Sequence, residues 1–219
     1  MKVGVLASGR GTDLQSIIDA AEEHKIDATV ALVISDRENA YALERARNHD
    51  IPNFFVDPNH KTREEIDNDI DTILTEHHID LVVGAGYMRI LSNEFIDKWF
   101  GKLINIHPAL LPSFKGTNAQ EDAFEYGVKI TGCTTHFMDD QMDHGPIILQ
   151  AAVTVQPTDT PETLAQRILD VEHQILPRSI QLFAQDRLHI KGRKVIIEPG
   201  DSWKETEPQI EGVLYPIGY

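Results

Sequence analysis

The chain has 219 residues, with 35 acidic and 20 basic side chains and a formal charge of -15 at pH 7. That balance excludes a general nucleic-acid binder, which needs a basic face to neutralise phosphates, but leaves room for a small local anion pocket. An apolar fraction of 41% suits a soluble globular domain, the single Cys133 excludes an intrachain disulfide, and no apolar run approaches the ~20 residues of a membrane span.

The chain opens on an apolar run, Val3 to Leu6, with no signal-peptide core before it, so the cytoplasm is the expected location. The glycine turn Ser8-Gly9-Arg10-Gly11-Thr12-Asp13 follows, then Leu14, Ile17, Ile18 and Ala21 at helical spacing. Further strands are expected at Thr29 to Ile34, Pro52 to Val56, Leu81 to Ala85 and from Leu103. Helices are expected at Ala40 to Asn48, Arg63 to His77 and Ser92 to Phe100. This alternation predicts an α/β fold, a Rossmann-like and mostly parallel sheet with helices on both faces. Ligands bind such sheets at the carboxyl ends of the strands, where the glycine turn, the loop after Ala85 and the segment at Asn105 all fall. A helix to Tyr126, two longer strands (Gly132 to Asp139, Ile147 to Val155), a helix from Thr160 to Ala184 and a hairpin from Leu188 to Pro199 complete the pattern. The expected organisation is one domain over 1–187, with phosphate contacts from 1–100 and catalytic and folate contacts from 101–187. The hairpin and tail over 188–219 are appended to it.

Asn105-Ile106-His107-Pro108, at the end of an apolar run, carries the chemistry. On a strand, side chains two apart share a face. Asn offers a neutral donor and His a proton near neutral pH, while Asp143 in Asp143-His144-Gly145-Pro146 can orient that His and favour its charged form. These are the parts needed to carry an acyl group through a tetrahedral intermediate. Pro108 and Pro112 are expected to hold the chain extended beyond the strand. Gly9-Arg10-Gly11 between strand and helix is a usable phosphate cradle, although it lacks the third glycine of the dinucleotide fingerprint.

Taken together, the loops resemble the phosphoribosylglycinamide formyltransferase family. The matching segments are residues 8–15, Gly86-Tyr87-Met88-Arg89-Ile90-Leu91, Asn105 to Ala119, Gly132 to Phe137, Asp143 to Gln150 and Glu172-His173. The resemblance implies transfer of a formyl group from 10-formyltetrahydrofolate to the amine of 5-phosphoribosylglycinamide in purine synthesis. It implies Asn105, His107 and Asp143 as the catalytic trio. Gly11, Thr12, Asp13 and Glu172 would bind the ribonucleotide. Arg63, Met88, Arg89, Ile90, Leu91, Asn105, Asp139 and Asp140 would bind folate, the 88–91 stretch through its backbone, and His136 would stand behind the site. Asp13 departs from the Asn usual in the family. A carboxylate beside a phosphate is unfavourable unless it caps the helix or is protonated, and Arg10 is the compensating cation nearest in sequence.

The resemblance also implies small-molecule substrates, no nucleic acid or membrane partner, no metal, and a monomer or homodimer. The alternatives are a 10-formyltetrahydrofolate hydrolase, a formyltransferase for another amine, and a non-catalytic folate- or nucleotide-binding module. Zinc on His107, His136 and Asp143 lacks the support of a close-spaced His pair.

Overall fold

The computed structural model describes residues 1–199 and the backbone of the short strand at 213–214. The expected order appears in it, with small shifts at element ends. β1 (Lys2–Leu6), α1 (Thr12–Glu22), β2 (Thr29–Ser35), α2 (Tyr41–Asn48), β3 (Asn53–Phe55), α3 (Arg63–Glu76), β4 (Leu81–Gly84), α4 (Asn93–Lys98) and β5 (Leu103–His107) form the parallel part. α5 (Ala119–Tyr126), β6 (Ile130–Phe137), β7 (Ile147–Thr154), α6 (Pro161–Ala184), β8 (Leu188–Lys191), β9 (Lys194–Ile197) and β10 (Val213–Leu214) follow. Helix starts are chemically marked. Thr62 and Glu65 form a capping box on α3, as Thr160 and Thr163 do on α6, satisfying otherwise orphaned N–H groups.

One sheet runs in the order β3-β2-β1-β4-β5-β6-β7-β9-β8, with β10 also pairing β7. β1 to β5 are mutually parallel. β6 runs antiparallel to β5 and β7 antiparallel to β6. The hairpin β8–β9 joins the same sheet where Lys194 pairs with Ile147 at the start of β7. The tail from residue 200 lies outside the described residues, apart from the β10 backbone.

Strand alternation distributes two cores. Val3, Val5, Val33, Val83, Ile104 and Ile106 pack with α1, α2 and α6, while Leu6, Leu32, Ile34, Val82 and Leu103 pack with α3 and α4. Residue 105, being two on from Leu103, takes the α3/α4 face. Pro177 lies inside α6 without ending it. Burial of Ile175, Leu176, Ile180 and Leu182 offsets a local cost of ~3 kcal/mol. Among the described residues no helix is long and apolar enough to cross a membrane.

Candidate active site

β1, β4 and β5 are neighbours in the sheet, so their carboxyl ends bring together the glycine turn, the 86–91 loop and Asn105 with His107. The glycine turn is locked from two sides. Gly11 has φ of 67° and begins α1. A Cβ there would stand 2.8 Å from the Cβ of Ala42, so α2 packs where only glycine leaves room. Ser8 N–H donates to the Gly86 carbonyl at 3.0 Å, and Ser8 Oγ accepts from Met88 N–H at 2.9 Å. Ser8 therefore ties the glycine turn to the neighbouring loop, a role not read from its sequence position.

Asp13 lies in the first turn of α1, and its carboxylate does not cap the helix. Its Oδ1 is buried without a hydrogen-bond partner, and Nε2 of the His173 ring lies 3.7 Å away. Arg10, the compensating cation expected from the sequence, is exposed, and among the described residues it forms no ion pair with Asp13. Burial pushes the Asp13 carboxyl up to about 6. Glu172, on the buried face of α6, is raised well above the ordinary carboxylate range, first by burial and then by the Asp13 charge. Two buried carboxyls that each oppose the other's ionisation retain at least one proton near neutral pH. Asp13 itself holds its proton only to about pH 6, so above that pH its charge stands at the start of α1. Burial instead lowers His173 and His136, keeping both rings neutral.

Asn105 is held from both neighbouring strands. Its Nδ2 lies 3.3 Å from Nε2 of His136, its cross-strand partner on β6. His136 is buried, and its Nδ1 is 2.9 Å from the Phe137 carbonyl. A carbonyl only accepts, so Nδ1 carries the hydrogen and Nε2 receives the Asn105 amide. On the other side Gly84 stands in register with Asn105. A Cβ at Gly84 would come within 2.8 Å of Asn105 Oδ1. A glycine inside a strand marks such a close approach.

His107 is buried, with Nε2 2.8 Å from the Phe114 carbonyl and Nδ1 3.5 Å from Asp143 Oδ2. Asp143 Oδ2 also accepts from Gly116 N–H at 2.8 Å. Phe114 and Asp143 are both left-handed, with φ of 48° and 49°, a conformation that concentrates at functional loops. The chain leaving β5 does not stay extended as its prolines suggest. Ala109 N–H donates to the His107 carbonyl, Thr134 Oγ1 donates to the Ala109 carbonyl and accepts from Leu111 N–H, and Gln150 donates to the Leu111 carbonyl. These side chains of β6 and β7 fold the segment back on itself.

The folate-side candidates cluster on the α3/α4 face. Asp67 on α3 accepts from Ser92 N–H and lies within electrostatic reach of both Arg63 and Arg89, which hold down a pKa that burial raises. Among the described residues the N–H groups of Arg89, Ile90 and Leu91 have no protein partner, whereas that of Met88 is taken by Ser8. Met88 and Ile90 are exposed, and the Leu91 side chain is in the core, so only its backbone can face a ligand. Asp139 turns into its own loop, accepting from Gln141 N–H and facing His144 Nδ1 at 2.7 Å, while Asp140 is exposed. Among the described residues no group of three or more His, Cys, Asp or Glu side chains is placed to hold a metal ion.

The site thus has a backbone cradle with acidic walls after β1, a partly apolar slot with free N–H groups after the neighbouring β4, and an amide and an imidazole on the next strand, β5. Such an arrangement can hold two substrates against one pair of hydrogen-bond donors.

Comparison with known proteins agrees. A human trifunctional purine biosynthetic protein adenosine-3 is 46% identical over 190 residues, 86% of this chain, although the chain spans only 19% of that protein. A phosphoribosylglycinamide formyltransferase from Haemophilus influenzae is 42% identical over 191 residues, covering 87% of this chain and 90% of that protein. The crystal structure of glycinamide ribonucleotide transformylase 1 from Symbiobacterium toebii superposes with a TM-score of 0.88 at 47% identity, covering 90% of this chain and 93% of that one. The formyl transferase family model matches residues 1–180, and the chain belongs to the formyl transferase family.

Proposed function

We propose that the chain is a phosphoribosylglycinamide formyltransferase, moving the formyl group of 10-formyltetrahydrofolate to the amine of 5-phosphoribosylglycinamide in purine synthesis. The observation that carries this reading is the placement of Asn105 and His107 on β5, beside the 86–91 loop that follows β4 and one strand further from the glycine turn that follows β1, with Asp143 facing the His107 ring.

The ribonucleotide phosphate sits on the backbone of Gly11, Thr12 and Asp13 at the start of α1, where N–H groups and the helix dipole favour an anion. Glu172 lines the same subsite and, holding its proton, can donate to a sugar oxygen. The pterin end of the folate meets the free N–H groups of Arg89, Ile90 and Leu91, with Arg63 and Arg89 supplying positive charge for its carboxylate end. Asp139 and Asp140 lie on the loop that closes this slot.

The substrate amine attacks the formyl carbon and a C–N bond forms. The carbonyl oxygen becomes an oxyanion that Asn105 and His107 stabilise by donated hydrogen bonds. The bond from the formyl carbon to the folate nitrogen then breaks. That nitrogen gains a proton through His107, and the attacking amine gives one up, so protons balance. Asp143, facing Nδ1 of the ring, holds the imidazole in orientation. Because His107 Nε2 faces the Phe114 carbonyl at 2.8 Å, that carbonyl has to give way for the ring to reach the formyl oxygen.

The purified protein is tested by following a 10-formyl folate donor spectrophotometrically, with and without the ribonucleotide. Turnover only with the ribonucleotide is expected. Donor loss without it would assign a hydrolase instead. His107→Ala should lower kcat by ~10²-fold or more, the scale of losing an acid–base group.

A further inference from the structure

The hairpin β8–β9 reaches back into the site loop. Arg193, at its turn, places Nη1 2.9 Å from His144 Nε2 and 3.1 Å from Nδ1, and Nη2 donates to the His144 carbonyl at 2.7 Å. His144 Nδ1 is committed to Asp139 Oδ2 at 2.7 Å. A carboxylate only accepts, so Nδ1 carries the hydrogen and Nε2 is the lone pair that receives Arg193. The chain of contacts is directional, from guanidinium to imidazole to Asp139. His144 is also the residue after Asp143, whose carboxylate faces His107.

The attachment is not a loose surface contact. Lys194, next to Arg193, pairs with Ile147 in the sheet, and Pro146 just before it accepts from Phe137 N–H. The hairpin is therefore anchored where the 139–146 loop re-enters the sheet, which fixes the base from which Arg193 extends. The guanidinium grips both the ring and the main chain of one residue, a fork that a lysine cannot reproduce.

We propose that Arg193 is a positioning residue for the site loop, acting through His144 to hold Asp139 and Asp143 in place for the formyl donor. This rests on the reading above that the loop serves the folate side. An exposed guanidinium contact of this kind contributes little to stability, so the effect belongs in substrate binding and turnover.

The test uses the full chain. Arg193→Ala should raise KM for the 10-formyl folate donor about tenfold, the scale of losing a hydrogen bond to a charged group. KM for the ribonucleotide should stay within twofold. Arg193→Lys should recover only part of the loss. His144→Ala should match Arg193→Ala, and the double variant should be no worse than either alone, because both remove one chain of contacts. Unchanged donor kinetics in Arg193→Ala, or losses that multiply in the double variant, would overturn the proposal. A loss of active protein without a change in donor KM would mark a merely structural role and also overturn it. Asp143→Asn separates the two levels. If it retains full turnover, the reading of the loop fails; if it is impaired while Arg193→Ala is normal, only the role of Arg193 fails.

Discussion

Asp13→Asn tests the electrostatics of the ribonucleotide side directly. The Asp13 carboxyl is held at about 6 instead of 3.8, with burial as the cause. In the unfolded chain it ionises near pH 3.8. In the folded chain it keeps its proton to about pH 6. Between those values the folded state binds a proton that the unfolded state has released, so stability falls as pH rises through the window and stays lower above it. The full cost, from the two values, is ~3 kcal/mol. Asparagine has nearly the same shape and no proton to lose. It also removes the charge that opposes ionisation of Glu172. Urea unfolding of both proteins should therefore give a stability difference that favours Asp13→Asn and widens by ~2 kcal/mol from pH 4 to pH 8. At pH 8 the full gain should raise the melting temperature by roughly 6–12 °C, at the 2–4 °C per kcal/mol expected for a chain of this length. A difference that is the same at both pH values, or a less stable variant at pH 8, would refute the argument that a buried, unpartnered carboxyl is being ionised at a cost.

The same substitution should lower KM for the ribonucleotide above pH 6, measured by initial rates, because a negative charge beside the phosphate is removed; a higher KM there would count against the phosphate subsite. Gly84→Ala should leave the melting temperature nearly unchanged yet lower kcat by about tenfold or more, since the added methyl pushes against Asn105 Oδ1 and a displaced oxyanion donor costs on that scale. Normal turnover in that variant would show that the Asn105 amide need not be held there. Ser8→Ala leaves Met88 N–H without its acceptor and should cost about 1 kcal/mol in urea unfolding. It should also raise KM for the folate donor; an unchanged KM would separate Ser8 from the folate slot.

The parallel half of the fold was legible because its signals are local and repeated. Buried strands such as Leu81 to Gly84 stand out as short apolar runs, and Leu14, Ile17 and Ile18 recur at helical spacing after the glycine turn. The convergence of the glycine turn, the 86–91 loop and Asn105 with His107 followed from topology alone, since parallel strands place all their carboxyl ends on one edge. The exit from β5 misled, because proline restricts φ but does not choose the next hydrogen-bond partner. Thr134 and Gln150, from strands further along, made that choice.

By itself the sequence determined the α/β alternation, the shared face of Asn105 and His107, and the glycine cradle, because each depends on spacing within a few residues. Only the tertiary structure decided what surrounds them. It buried Asp13 against Glu172 and His173, although 159 residues separate Asp13 from Glu172 in the chain. It also set Gly84 against Asn105 and laid Arg193 on His144. β6 runs antiparallel, so the loop after it starts beside Leu103, where Met138 N–H meets the Leu103 carbonyl, and must fold back for Asp143 to reach His107. A carboxyl's proton affinity and a residue's partner across the sheet are set by neighbours distant in sequence, and no local pattern records them.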